Sequence, residues 1–301
     1  MKQLVVFWTL LLVSAMASSS TYEQPLPISR AQLQSMDIQY FLRDKEIKTL
    51  QTEEYEFISL LKEESTGFPK GIAFIVPDVD QSIGHQAAVS AVYDQLTEIG
   101  WTNMLITMPS QEIVAPDVNL WQAQRDLIIQ AQTPDSEPIP DQNVQFKSFY
   151  SEDAYSTQYI ESMELSIEER MKAAMEVAQQ YPGFYLYICQ GKSCTWLIDL
   201  IAQERIDKPD ALVMLSAHIP QQNLTDSFNM QVSEAEFPVL DLYRDFDNNW
   251  VTKHVGDRRK LARKSFKTNY RQRKLYYGID YNSQKKRTFK EIYGFLTAVG
   301  M

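Results

Sequence analysis

The stretch Phe184-Tyr185-Leu186-Tyr187-Ile188-Cys189-Gln190-Gly191-Lys192-Ser193-Cys194-Thr195-Trp196-Leu197 decides the fold. It opens as an apolar run of strand length, breaks at Gly191, and resumes with Trp196, Leu197, Leu200 and Ile201 at helical spacing. Strand, sharp turn and helix in that order lift one turn residue above the end of a sheet, beneath backbone N–H groups. Two registers fit. With Ser193 at the apex, Thr195 takes a position that must be small for the helix to pack close, and Trp196 follows it. With Gly191 at the apex, Cys189 and Ser193 fill the small flanking positions and Trp196 moves one step along the helix. The second register is sterically better, and it offers no nucleophile.

Working outward, Gly71-Ile72-Ala73-Phe74-Ile75-Val76 before Pro77 is a continuous apolar run, the pattern of a strand buried on both faces of a parallel sheet. Residues 86–99 carry Ala87, Val89, Val92, Leu96 and Ile99 at helical spacing and stop at Gly100; residues 102–108 then read as the next strand. Downstream, a helix over 165–180, strands over 211–215 and 239–243, a helix over 250–265, a strand over 273–277 and a helix over 285–299 continue the alternation. The fold class this predicts is α/β, a doubly wound, mostly parallel sheet. The alternating segments 37–42 and 56–61 are expected to form an N-terminal antiparallel hairpin. Residues 110–154, rich in Gln, Pro, Asp and Ser, are too long for an ordinary connection and are expected to form a lid-like insertion in a single domain spanning 18–301.

Residues 1–17 read as a signal peptide: Lys2, an apolar run from Leu4 to Val13 too short to span a bilayer, and Ala15-Met16-Ala17 as cleavage site. No later stretch approaches transmembrane length, so a periplasmic location is expected. Cys189 and Cys194 are the sole cysteines, which excludes a disulfide-rich scaffold. They are expected to be two small buried hydrophobes rather than a disulfide. Charge is unevenly placed: residues 251–301 hold 14 Lys and Arg against Asp257, Asp280 and Glu291, while the chain as a whole is at −10. A basic region of this kind either neutralises the acidic body or takes an anionic partner.

The order of elements resembles an α/β hydrolase, and the wording resembles an uncharacterised, exported α/β-hydrolase-like family of Gram-negative bacteria, a domain of unknown function. The resemblance rests on Gly71 to Pro77, Gly100-Trp101 with Pro109, Pro209-Asp210-Ala211-Leu212-Val213, Phe237-Pro238-Val239-Leu240-Asp241, Tyr270-Arg271-Gln272-Arg273 and Ile292-Tyr293-Gly294-Phe295-Leu296. It implies an α/β-hydrolase-like core and export.

A hydrolase of this fold needs a nucleophile at the turn, a histidine after the last strand and an acid between them. Here the turn centre is Gly191, and no histidine lies between Leu275 and Met301. The remaining catalytic set is Ser193 with His218 and Asp245 as improvised partners. The loop in the oxyanion-hole position holds Asp78 and Asp80, which oppose the negative charge that catalysis there must stabilise. Gly191, Lys192, Asp78 and Asp80 are the candidate binding residues, with Lys192 and the opening N–H groups of the helix as an anion site. Gly191-Lys192-Ser193 copies the end of a phosphate-binding loop, but the glycine it requires five residues earlier is Leu186. Two carboxylates alone do not make a metal site. The expected protein is therefore a periplasmic, degenerate-triad, non-catalytic binding protein for a small-molecule or envelope ligand, with no cofactor, metal or nucleic acid. The alternatives are a serine esterase using Ser193, and an assembly factor docking an anionic partner through 251–301.

Overall fold

The computed structural model describes residues 36, 46–79, 92–109, 155–276 and 281–301. Eight strands form one sheet in the order β1-β2-β4-β3-β5-β6-β7-β8. These are β1 (Ile47–Gln51), β2 (Glu56–Lys62), β3 (Gly71–Val76), β4 (Trp101–Ile106), β5 (Phe184–Gln190), β6 (Ala211–Leu215), β7 (Val239–Arg244) and β8 (Tyr270–Leu275). β1 and β2 pair antiparallel, β2 pairs antiparallel to β4, and every other pairing is parallel. The helices are α1 (Thr157–Ala178), α2 (Ser193–Ala202), α3 (Gln222–Glu234), α4 (Asn249–Lys264) and α5 (Tyr281–Ala298).

Period-two alternation sorts the central strands between two cores. Ile72, Phe74, Tyr187, Cys189, Leu212 and Met214 face one side, where Met171, Ala174, Leu197, Phe228 and Val232 of α1, α2 and α3 cover them. Ala73, Ile75, Leu186, Ile188, Val213 and Leu215 face the other, covered by Ile292, Phe295 and Leu296 of α5 and by Val92 and Leu96. Gly71, with φ of 145°, has no room for a side chain: an added Cβ would lie 2.0 Å from the Phe184 carbonyl oxygen, so β3 and β5 enter the sheet at a closeness only glycine permits.

Three elements differ from the sequence reading. The hairpin joins β2 to 47–51, because Thr52 closes a tight turn by accepting N–H bonds from Glu54 and Tyr55; segment 37–42 lies outside the described residues, as does the insertion at 110–154. Helix α1 begins eight residues before 165, where the Ser156 hydroxyl caps it by accepting the Tyr159 N–H at 3.2 Å. Strand β8 begins at Tyr270 rather than 273: its sequence, YRQRKL, is polar because it is the end strand of the sheet, and polarity hid it.

One buried ion pair ties this end together. Asp241 of β7 is wholly enclosed and accepts from Arg258 Nε of α4 at 2.9 Å, Tyr270 OH of β8 at 2.7 Å and Gln272 Nε2 at 2.9 Å. The Arg258 guanidinium also lies over the Phe228 ring, 5.4 Å from its centroid. Low dielectric makes such a network costly to break from one side, because the surviving charge stays buried. Asp241→Ala is expected to lower unfolding free energy by about 3–5 kcal/mol in urea titrations, and Arg258→Met by a similar amount. A loss below about 1 kcal/mol for both would show the network is incidental.

Candidate functional site

Parallel strands deliver their C-terminal ends to one edge, and the loops after β3, β5, β6 and β7 meet there, at the point where the sheet order reverses on either side of β3. The loop after β5 is the sharp turn. Gly191 sits at φ of 60°, its N–H donates to the Leu215 carbonyl at 2.9 Å, and its carbonyl accepts the His218 N–H at 3.3 Å. Gly191 therefore holds the apex, and Ser193 is the first residue of α2. The Ser193 side chain is fully buried and its hydroxyl donates to the Pro77 carbonyl at 2.5 Å.

Cys189 and Cys194 are joined in a disulfide, which corrects their expected role as free buried thiols. The turn folds the strand end back against the first turn of α2, bringing the two Cα atoms to 5.1 Å, inside the range a disulfide spans. Closing so short a loop is worth roughly 2 kcal/mol on the chain-entropy account. The bridge staples the elbow from inside.

Asp78 occupies the space above the apex. A Cβ built on Gly191 would lie 2.2 Å from Asp78 Oδ2 and 2.4 Å from its Cγ, so the carboxylate stands where a nucleophile's side chain would emerge. Asp78 Oδ1 accepts the Lys192 N–H at 3.3 Å. The helix opening is the expected anion site, and the Lys192 N–H there is directed at this internal carboxylate. Burial pushes the Asp78 carboxyl above the usual range, against the opposing pull of Lys192. Asp80 lies outside the described residues.

His218 follows β6 in the same edge. Its Nε2 is 2.8 Å from Asn248 Nδ2 and its Nδ1 is 2.9 Å from the Ser216 carbonyl. Asn248 Oδ1 is committed to capping α4 through the Val251 N–H, so Asn248 presents its amide donor to the imidazole. That fixes Nε2 as acceptor and Nδ1–H as donor, a neutral ring, and burial lowers the pKa of His218 in the same direction. Both ring nitrogens are thus occupied by groups other than Ser193. Asp245 is turned away and pairs with Lys274 of β8. Ser193, His218 and Asp245 are not brought together by hydrogen bonds among the described residues.

The acid that turns inward is Asp247. Its side chain is enclosed and accepts from Ser216 Oγ at 2.5 Å, the Arg244 N–H at 3.0 Å and the Asn248 N–H at 3.1 Å. Ser216 holds φ of 51°, an uncommon conformation for a non-glycine residue, and the Asp247 bond holds it there. Sequence reasoning also missed Tyr155 and Tyr159, whose rings stack with centroids 5.2 Å apart and whose hydroxyls are both raised in pKa by burial and by the charge of Asp78. Nothing local marks them. They reach the site because α1 crosses in front of α2, where Tyr155 meets the edge of Trp196.

The sheet order and the elbow define an α/β-hydrolase-like fold. Solved structures agree: the chain is similar to TT1662 from Thermus thermophilus (12% identity, TM-score 0.51, 86% of this chain and 98% of that one). It is also similar to Est1E from Butyrivibrio proteoclasticus (10%, 0.53, 84% and 99%). The esterase domain of a Rhodothermus marinus protein is a third such match (10%, 0.51, 84% and 98%). At these identities the likeness is one of fold. By sequence, residues 13–298 match the family described as protein of unknown function (DUF3530), and the chain belongs to it. No curated protein matches.

The raised Asp78 pKa has a consequence for stability. The folded state holds that proton more tightly than the unfolded one, so the contribution is present at low pH and is lost as pH rises through the folded-state value. Asp78→Asn removes this loss. Its thermal midpoint is expected to exceed wild type by more at pH 8 than at pH 3.8, the ordinary value of the carboxyl; equal differences at both would contradict the burial of the carboxylate.

Proposed function

We propose that this protein is an exported α/β-hydrolase-fold binding protein that does not form an acyl-enzyme, and that its ligand is recognised at the edge built by Asp78, Lys192, His218 and Tyr159. The observation that carries the reading is the contact of Asp78 with Gly191. A hydrolase of this fold keeps a nucleophile there beneath donors that stabilise an oxyanion. Here a carboxylate fills the space and takes the Lys192 N–H. Placed at that point it repels a developing oxyanion.

Two further features support it. Gln190 Oε1, Thr195 Oγ1 and Trp196 Nε1, all buried around the elbow, have no hydrogen-bond partner among the described residues. Unsatisfied buried polar atoms are costly unless a ligand or neighbouring segment completes them. The disulfide across the turn suits an oxidising compartment and so supports export through the 1–17 leader to the periplasm.

The test is chemical. A fluorophosphonate probe is expected to leave the wild-type protein unlabelled; labelling that Ser193→Ala abolishes would overturn the reading. Restoring a nucleophile should fail for a steric reason: Gly191→Ser is expected to destabilise by about 1–3 kcal/mol. Combining it with Asp78→Gly should recover part of that loss in thermal melts, because the clashing carboxylate is gone.

A further inference from the structure

The end of the sheet opposite the hairpin concentrates positive charge. Two adjoining clefts of about 250 and 410 Å³ run along β8, sharing Arg259 of α4 with Arg271 and Arg273 of β8; Arg263 lines the first, and Lys274 and Arg287 of α5 line the second. The acids near them are few. Glu291 lies 3.9 Å from Arg273, and Asp245 pairs with Lys274. Arg259, Arg263, Arg271 and Arg287 make no ion pair among the described residues. Cations on β8 alone would be explained as protection of an end strand against pairing with another chain. Those on α4 and α5 do not lie on that strand and need another reason.

Exposed aromatic rings stand at both ends of β8: Tyr276 lines the second cleft, Phe246 follows β7, and Phe266 precedes β8 in the chain. Phe266 is 89% exposed, Phe246 94% and Tyr276 56%. Phe266 is the more telling. It occupies the left-handed position after α4, with φ of 54°, in a helix-ending motif where its N–H bonds to the Arg263 carbonyl and the Lys267 N–H to the Ala262 carbonyl. That position favours glycine. A phenylalanine there bears backbone strain and leaves its ring in water, two costs the folded chain alone does not offset.

We infer that the arginine-lined β8 edge, with Phe266, Phe246 and Tyr276 around it, is a docking surface for an anionic phospholipid bilayer. Arginines attract phosphodiester headgroups over a Debye length, and the rings gain by entering the interface beneath them. The complementarity is one of charge: residues 251–301 carry 14 Lys and Arg against three acids in a chain whose overall charge is −10. Lys274, Tyr276 and Phe246 stand at the C-terminal ends of β8 and β7, the same edge as the elbow, and Phe266 precedes β8 at its other end, so the surface runs the length of that strand.

Co-sedimentation of the full mature chain with vesicles tests this. Wild type is expected to bind vesicles containing phosphatidylglycerol, to release in high salt, and not to bind pure phosphatidylcholine. At about fivefold per charge, the triple variant Arg259→Gln, Arg271→Gln, Arg273→Gln is expected to lose about a hundredfold in partitioning. Phe266→Gly should weaken vesicle binding severalfold while its thermal midpoint stays the same or rises, which separates docking from folding. Equal binding to neutral vesicles, an unaltered triple variant, or full displacement by soluble glycerol phosphate at matched phosphate concentration would each overturn the proposal. So would salt-sensitive retention on a soluble acidic protein with no vesicle binding.

Discussion

The absence of one side chain organises the elbow. Because Gly191 has no Cβ, the Asp78 carboxylate lies against the apex of the turn, and the start of α2 supplies an N–H to hold it. Everything around the apex is arranged on that contact. Ser193 is tied to the Pro77 carbonyl beside it, Cys189 is bridged to Cys194 beneath it, and Lys192 favours the buried charge. The turn keeps the geometry that in an enzyme presents a nucleophile, and uses it to seat an internal anion.

A second network runs from the elbow to the far end of the sheet. His218 is joined through Asn248 to the start of α4, and Asp247 ties Ser216 to the loop after β7. From α4, Arg258 reaches back to Asp241, which gathers Tyr270 and Gln272 of β8. The candidate binding edge and the basic end of the molecule therefore share one helix. Ser216, Asp241 and Arg258 are buried and each is hydrogen-bonded, so rigidity rather than gross stability is what the network contributes.

Much of the architecture was legible in the sequence. The continuous apolar runs of β3, β5 and β6 and the helical spacing after Gly191 are local patterns, and they appear where expected. The weakness was polarity: β8 was shortened because YRQRKL carries no apolar alternation, and the first hairpin strand was sought at 37–42 although 47–51 pairs with β2. At the elbow the sequence reading named Gly191, Lys192, Asp78 and His218, which the fold brings into contact, but it set the acid at Asp245 rather than Asp247, expected Cys189 and Cys194 to stay unbridged, and gave Asn248 and Tyr155 no role. Asp245 and Asp247 are two residues apart, and composition cannot say which turns inward; the tight turn after Arg244 decides it by directing Asp247 onto three donors.

The chain by itself determined the alternation of strands and helices and the glycine at the apex of the turn, since backbone periodicity and a positive φ are written in neighbouring residues. Only the tertiary structure decided what stands above that glycine. Lys192 and Asp78 are separated by 114 positions and meet because β3 and β5 lie side by side with their C-terminal ends together. Sheet order converts that distance in sequence into a hydrogen bond, and no local pattern encodes it.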